Sequence, residues 1–124
     1  MKIRNLTPHA INIILIQDGK YVELVYKAEE LAARISENNV HVDAAFDPDR
    51  MFKRQTFGEV VNLPDEESGT LLLVSNVLRT TLPNRRDLIG VGETKRDSEG
   101  KVTGCYNFLV NNGFEEFVAE AGGW

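Results

Sequence analysis

The chain has 124 residues, with 19 acidic against 14 basic side chains and a net charge of −5. That length suits one domain with a real core, and the acidic balance argues against general nucleic-acid binding. Its single cysteine, Cys105, excludes an internal disulfide and fits a reducing compartment. The opening MKIRNLTPHA lacks a signal-peptide core, and no stretch approaches the roughly 18–20 apolar residues of a membrane span. The expectation is a cytoplasmic protein with no membrane partner.

In chain order, residues 10–16, AINIILI, are rich in β-branched isoleucine and predict a strand. Asp18-Gly19 supplies the positive φ of a tight turn, and residues 21–27, YVELVYK, return as the second strand of a hairpin. Residues 28–39, AEELAARISENN, have helix-favouring composition and an i,i+4 pair, Leu31 and Ile35, and predict a helix. Residues 40–46 predict a short strand, Asp47-Pro48-Asp49 a turn, and residues 57–63, FGEVVNL, another strand. Further on, residues 88–93 predict a strand, and residues 92–96 against 101–108 a second hairpin around Asp97-Ser98-Glu99-Gly100. The tail carries Phe114, Phe117 and Val118 at helical spacing, with Glu115 and Glu116 suited to a helix start. The sum is an α+β fold, a largely antiparallel sheet with a short central helix and a C-terminal amphipathic helix.

Residues 70–87, TLLLVSNVLRTTLPNRRD, are the most informative stretch. Leu71 to Val74 read as a buried strand, Ser75 and Asn76 as a helix start, and Pro83 as its stop. Helix-start amides beside Arg79, Arg85 and Arg86 suit an oxyanion, because guanidinium forks bind one in two places. The predicted ligand-binding set is therefore Ser75, Asn76, Arg79, Arg85 and Arg86, with His9 as a titratable hydrogen-bonding contact.

Five sets of segments stand out: Asn5-Leu6-Thr7-Pro8-His9, Phe57-Gly58-Glu59-Val60 with Leu63-Pro64, Val74-Ser75, Pro83 to Leu88, and Arg96-Asp97 through Gly104-Cys105. Together they resemble small phage and prophage proteins of mostly unassigned function. The resemblance spans residues 5–105 and implies a phage-related role without an activity. It also implies a turn and strand at residues 28–36, against the helix that composition favours. Residues 111–124 have no counterpart in it.

Other residues carry weaker signals. Cys105 lies in an apolar strand pattern with no base to activate it, which favours a packed thiol. Asp43, Asp47 and Asp49 lack the spacing, glycine and closing glutamate of a calcium loop. Two histidines and one cysteine do not make a self-contained zinc site, and no nucleotide-loop or hydrolase fingerprint is present, so no metal or cofactor is expected. Phe46, Phe52 and Phe57 flank Arg50, Lys53 and Arg54, which suits either base stacking or a core beneath a cationic edge.

Three functions follow. The first is non-enzymatic capture of a small anionic ligand, phosphorylated and nucleotide-derived, as in sequestering an immune signal for anti-defence, by a homo-oligomer. The second is an interaction module that blocks a host protein, using an acidic surface and the aromatic tail. The third is a small hydrolase or transferase built on His9 with Asp87 or Glu59.

Overall fold

The computed structural model describes residues 1–42 and 45–124. Its centre is β6 (Thr70–Leu73), all four residues of which are buried. β1 (Lys2–Asn5) and β7 (Leu88–Val91) flank β6, both parallel to it, and β10 (Phe108–Val110) adds antiparallel to β7. Side chains alternate across a strand. Accordingly Leu71 and Leu73 pack with Ile89 and Phe117 on one face, and Leu72 packs with Leu6, Ala33, Val74, Leu78 and Leu88 on the other. Burial on both faces explains why the stretch is continuously apolar.

Each face has its own helix. α1 (Asn76–Thr81) crosses between β6 and β7 and buries Leu78; Ser75 caps it by accepting the Leu78 N–H. α2 (Phe114–Glu120) covers the other face with buried Phe117 and half-buried Phe114. The tail helix therefore packs within its own chain. Among the described residues no helix is long and apolar enough to cross a membrane.

The second sheet runs β3 (Lys20–Tyr26), β2 (Ile11–Gln17), β9 (Val102–Cys105), β8 (Thr94–Arg96). The predicted β2–β3 hairpin is present, turning on Asp18 (φ 51°) and Gly19 (φ 74°). So is the β8–β9 hairpin, where the Asp97 carboxylate accepts the Glu99 and Lys101 amides. β7–β8 and β9–β10 form one bent hairpin. Gly92 N–H bonds to the Asn107 carbonyl and Glu93 N–H to the Asn107 side chain, both at the corner between the sheets.

The third sheet has two strands, β4 (Arg34–His41) and β5 (Lys53–Val61). A bulge falls between Ile35 and Glu37, where the Ser36 hydroxyl accepts the Glu59 N–H. This corrects the helix expected at residues 28–39. The Glu29 and Ala33 amides bond to the Asn5 and Leu6 carbonyls, and residues from Arg34 onward pair with β5. Propensity is a weak prior, and cross-strand pairing overrides it here. The strand expected at residues 40–46 is displaced too: β4 ends at His41, and Phe46 lies in a turn.

The α+β class is the observed one, with mixed sheets. Four strand pairings are antiparallel and three are parallel, and two of the parallel ones form the central wall.

Candidate functional site

The Asn5–His9 segment is tied together by one buried side chain. Asn5 Nδ2 donates to the carbonyls of His9 and Tyr26 at 2.8 Å each. Its Oδ1 accepts the Thr7 N–H at 3.0 Å and the Thr7 hydroxyl at 2.6 Å. Thr7 Oγ1 also donates to the His9 carbonyl. His9 thus enters this knot through its backbone, with its side chain in an exposed position. The segment links β1 to the β2–β3 hairpin, a structural task that accounts for its residue types.

The three predicted arginines do not converge. Arg85 grips the fully buried Asp87 with Nε and Nη2, at 2.9 and 2.8 Å, and donates from Nη2 to the Pro64 carbonyl. Arg86 turns to α2, where it holds Glu120 in two places, reaches Glu66 and lies 5.4 Å from the centre of the Phe117 ring. It also lies against Gly113, where a Cβ would come 2.7 Å from its Cδ. Arg79 donates to the side-chain oxygens of Asn76 and Asn111, both at 3.0 Å. The shared clamp is therefore corrected to three separate intramolecular braces, because neighbouring Asp87 and Asn76 and the sequence-distant Asn111, Glu66 and Glu120 claim the forks.

These braces shift titrations in the expected directions. Hydrogen bonding to Asp87 raises the Arg85 pKa, and bonding to Glu120 raises that of Arg86. The same contact holds the Glu120 carboxyl below its ordinary value. Burial pushes the Cys105 thiol up, as expected for a packed cysteine.

Asn76 and Asn111 complete the frame. Asn76 Nδ2 donates to the Val91 carbonyl at 2.8 Å, and Gly90 leaves room for that side chain. Asn111 Nδ2 lies 3.1 Å from the carbonyls of Arg79, Leu82 and Arg85, at the end of α1 and in the turn beyond. Free carbonyls at a helix end need such partners. With six residues and a capped Leu78 amide, α1 does not present the open ring of amides that a longer helix start would.

Of the predicted set, Ser75 lines a hollow. A hollow of about 330 Å³ lies between the start of α1 and the base of the β4–β5 hairpin. Its lining includes Ser75, Val77, Arg34, Glu37, Phe57 and Pro8, the residue before His9. Arg34 and Glu37 come from the strand misread as helix. The stretch from Ser36 to Asn39 is polar throughout, with no apolar alternation to signal that strand. The larger hollow of about 480 Å³ holds Arg4, but Glu29 already binds that guanidinium in two places and Glu30 also lines it. An anion is poorly served there.

Asp87 spends both carboxylate oxygens on Arg85, so it is unavailable as an orienting partner for His9. Asp47 is structural as well, accepting the Met51 and Phe52 amides at 2.7 and 3.0 Å. Asp43, considered with it as a calcium ligand, lies outside the described residues. No family model, curated protein or solved structure matches this chain.

Proposed function

We propose that this protein binds a small anionic ligand carrying a planar, nucleobase-like group, in the hollow between α1 and the β4–β5 hairpin. The observation that carries the reading is that Arg34, Phe57 and Ser75 line the same hollow. Among the described residues Arg34 has no ion-pair partner, in contrast to Arg4, Arg85 and Arg86. A free guanidinium binds phosphate or carboxylate with charge-assisted hydrogen bonds. The half-exposed Phe57 ring offers a stacking surface. Glu37 adds an acceptor for ligand hydroxyl or amino groups.

Binding without turnover is the economical reading, since Asp87, one of the two carboxylates nominated for His9, is committed to holding Arg85, and no hydrogen bond among the described residues joins the other, Glu59, to His9. The resemblance to phage proteins directs the proposal towards sequestering a nucleotide-derived immune signal. Calorimetry against cyclic nucleotides, ADP-ribose-type compounds and inorganic phosphate tests it. Arg34→Ala is expected to weaken binding by about 2 kcal/mol, roughly thirtyfold, while Arg86→Ala leaves it unchanged. Absence of heat for every compound at millimolar concentration rejects the reading.

A protein-contact reading rests on a different observation. Ile16, Tyr21 and Val25 lie exposed on one face of the β2–β3 sheet, and Trp124 is exposed at the chain end. Pull-down from host lysate with Tyr21→Ser and Trp124→Ser, both exposed positions outside the ligand hollow, would separate that role from ligand capture.

A further inference from the structure

One face of the second sheet carries no covering layer. Pairing sets Tyr21 against Ile16 and Glu23 against Ile14, and alternation along the strands puts these four on the same side. Gly104 shares that side, since a Cβ there would come 3.1 Å from Ile14 Cδ1, and Lys95 stands opposite Gly104 across β8–β9. Both helices pack on the wall around β6 and leave this face open: Ile16 is 71% exposed, Tyr21 76% and Tyr106 41%.

A hollow of about 370 Å³ lies on this face, within the range of small-molecule sites. Ile14, Tyr21, Glu23, Lys95 and Tyr106 line it. Among the described residues no ion pair or side-chain hydrogen bond engages Glu23, Lys95 or either phenol, and neither tyrosine ring stacks on another ring. Comparable groups elsewhere are engaged: Arg4 holds Glu29, and Tyr26 meets Phe108 edge-on.

The chemistry of these groups selects what can sit there. An anion is repelled by Glu23 and a cation by Lys95. The two charged residues stand on the outer strands β3 and β8, three strand spacings or roughly 14 Å apart. That is too far for the adjacent ammonium and carboxylate of a free amino acid. Hydroxyl groups suit both ends, because each can donate to the acceptor-only carboxylate or accept from the donor-only ammonium, and the charge strengthens either bond. The apolar C–H face of a sugar ring also matches an exposed tyrosine ring.

We propose that this hollow binds a neutral short-chain saccharide, its rings lying against Tyr21 and Tyr106 and its hydroxyls bonded to Glu23 and Lys95. The site shares no residue with the hollow beside α1 and does not depend on it.

Titration of the whole protein with maltose, cellobiose, lactose and N,N′-diacetylchitobiose, each to about 10 mM, tests the proposal by amide NMR shifts. At least one of these sugars is expected to bind with a Kd in the millimolar range or below and to shift the amides of residues 14, 21–23, 95 and 106. Tyr21→Ala and Glu23→Gln, both at exposed positions, are expected to weaken that binding by about tenfold or more. The same spectra report whether each variant is folded. Glycylglycine, a zwitterion, is expected to leave the spectrum unchanged at the same concentration. Absence of shifts with every sugar, shifts confined to another part of the molecule, binding that survives in both folded variants, or tighter binding of glycylglycine would each overturn the proposal. With no second protein in the sample, a protein-contact role of Tyr21 cannot mimic the expected result.

Discussion

In the wall around β6, Asn5, Asp87 and Asn111 are buried and their polar atoms are used on neighbouring strands, turns and helix ends. Along the β4–β5 arm, Asn38 and Asn39 occupy the same chemical class but face solvent, beside exposed Val40. The first region uses polar groups as internal fasteners, where each missing bond leaves an unsatisfied atom. The second leaves both polar and apolar groups unused. The contrast teaches that conspicuous residues, the Asn-Leu-Thr-Pro-His segment and the arginine turn, hold the frame together. The plainer arm carries exposed apolar side chains, and the proposed ligand hollow lies at its root.

The strongest way to break this contrast is Asp87→Ala. It leaves the Arg85 guanidinium partly buried without its partner and is expected to cost about 3 kcal/mol, the low end for a broken buried pair. The urea midpoint measures it. Asn5→Ala follows, at about 2–3 kcal/mol, because buried donors and acceptors lose a shared partner. On the arm, Asn39→Ala should stay within about 0.5 kcal/mol, as for ordinary surface positions. Equal losses at Asn5 and Asn39 would erase the distinction.

Cys105 probes the same frame by a chemical route. Buried and with a raised thiol pKa, it is expected to resist alkylation at neutral pH until the chain is unfolded in denaturant. Rapid labelling of the folded protein would place it on a mobile surface instead.

The smallest effect concerns pH. Arg4 holds Glu29, and Arg86 holds Glu120, below the ordinary glutamate value. A depressed carboxyl pKa stabilises the fold above the unfolded value and loses that contribution as pH falls through the folded one. Stability should therefore decline on acidification below the usual carboxylate range. Arg86→Ala should flatten part of that decline, as followed by thermal midpoints. Both pairs are solvent-exposed, so salt should weaken the effect.

Much of the fold was legible where the signal is local. Asp18-Gly19 announced the first hairpin, Ser75 the start of α1, and the spacing of Phe114 and Phe117 the inner face of α2. Parallel pairing of β1 with β6 was not legible, because the two strands lie far apart in sequence and no turn connects them. Residues 28–39 misled for a related reason: Ala, Glu and Leu favour helix, but the backbone bonds there go to Asn5, Leu6 and β5. The arginines misled through proximity. Adjacent Arg85 and Arg86 diverge to Asp87 and Glu120, a separation that only the three-dimensional positions of those acids decide. Arg34 escaped notice because a cation within an apparent helix gave no hint of the hollow beside Ser75.

The bent hairpin that turns its corner at Gly92 and Asn107 runs both of its limbs, β7–β8 and β9–β10, through both neighbouring strand systems. Neither system can come apart without dragging on chain that belongs to the other. The body of the protein is thereby bound to melt as one unit, and the seam that looks like a division between two sheets acts mechanically as a weld.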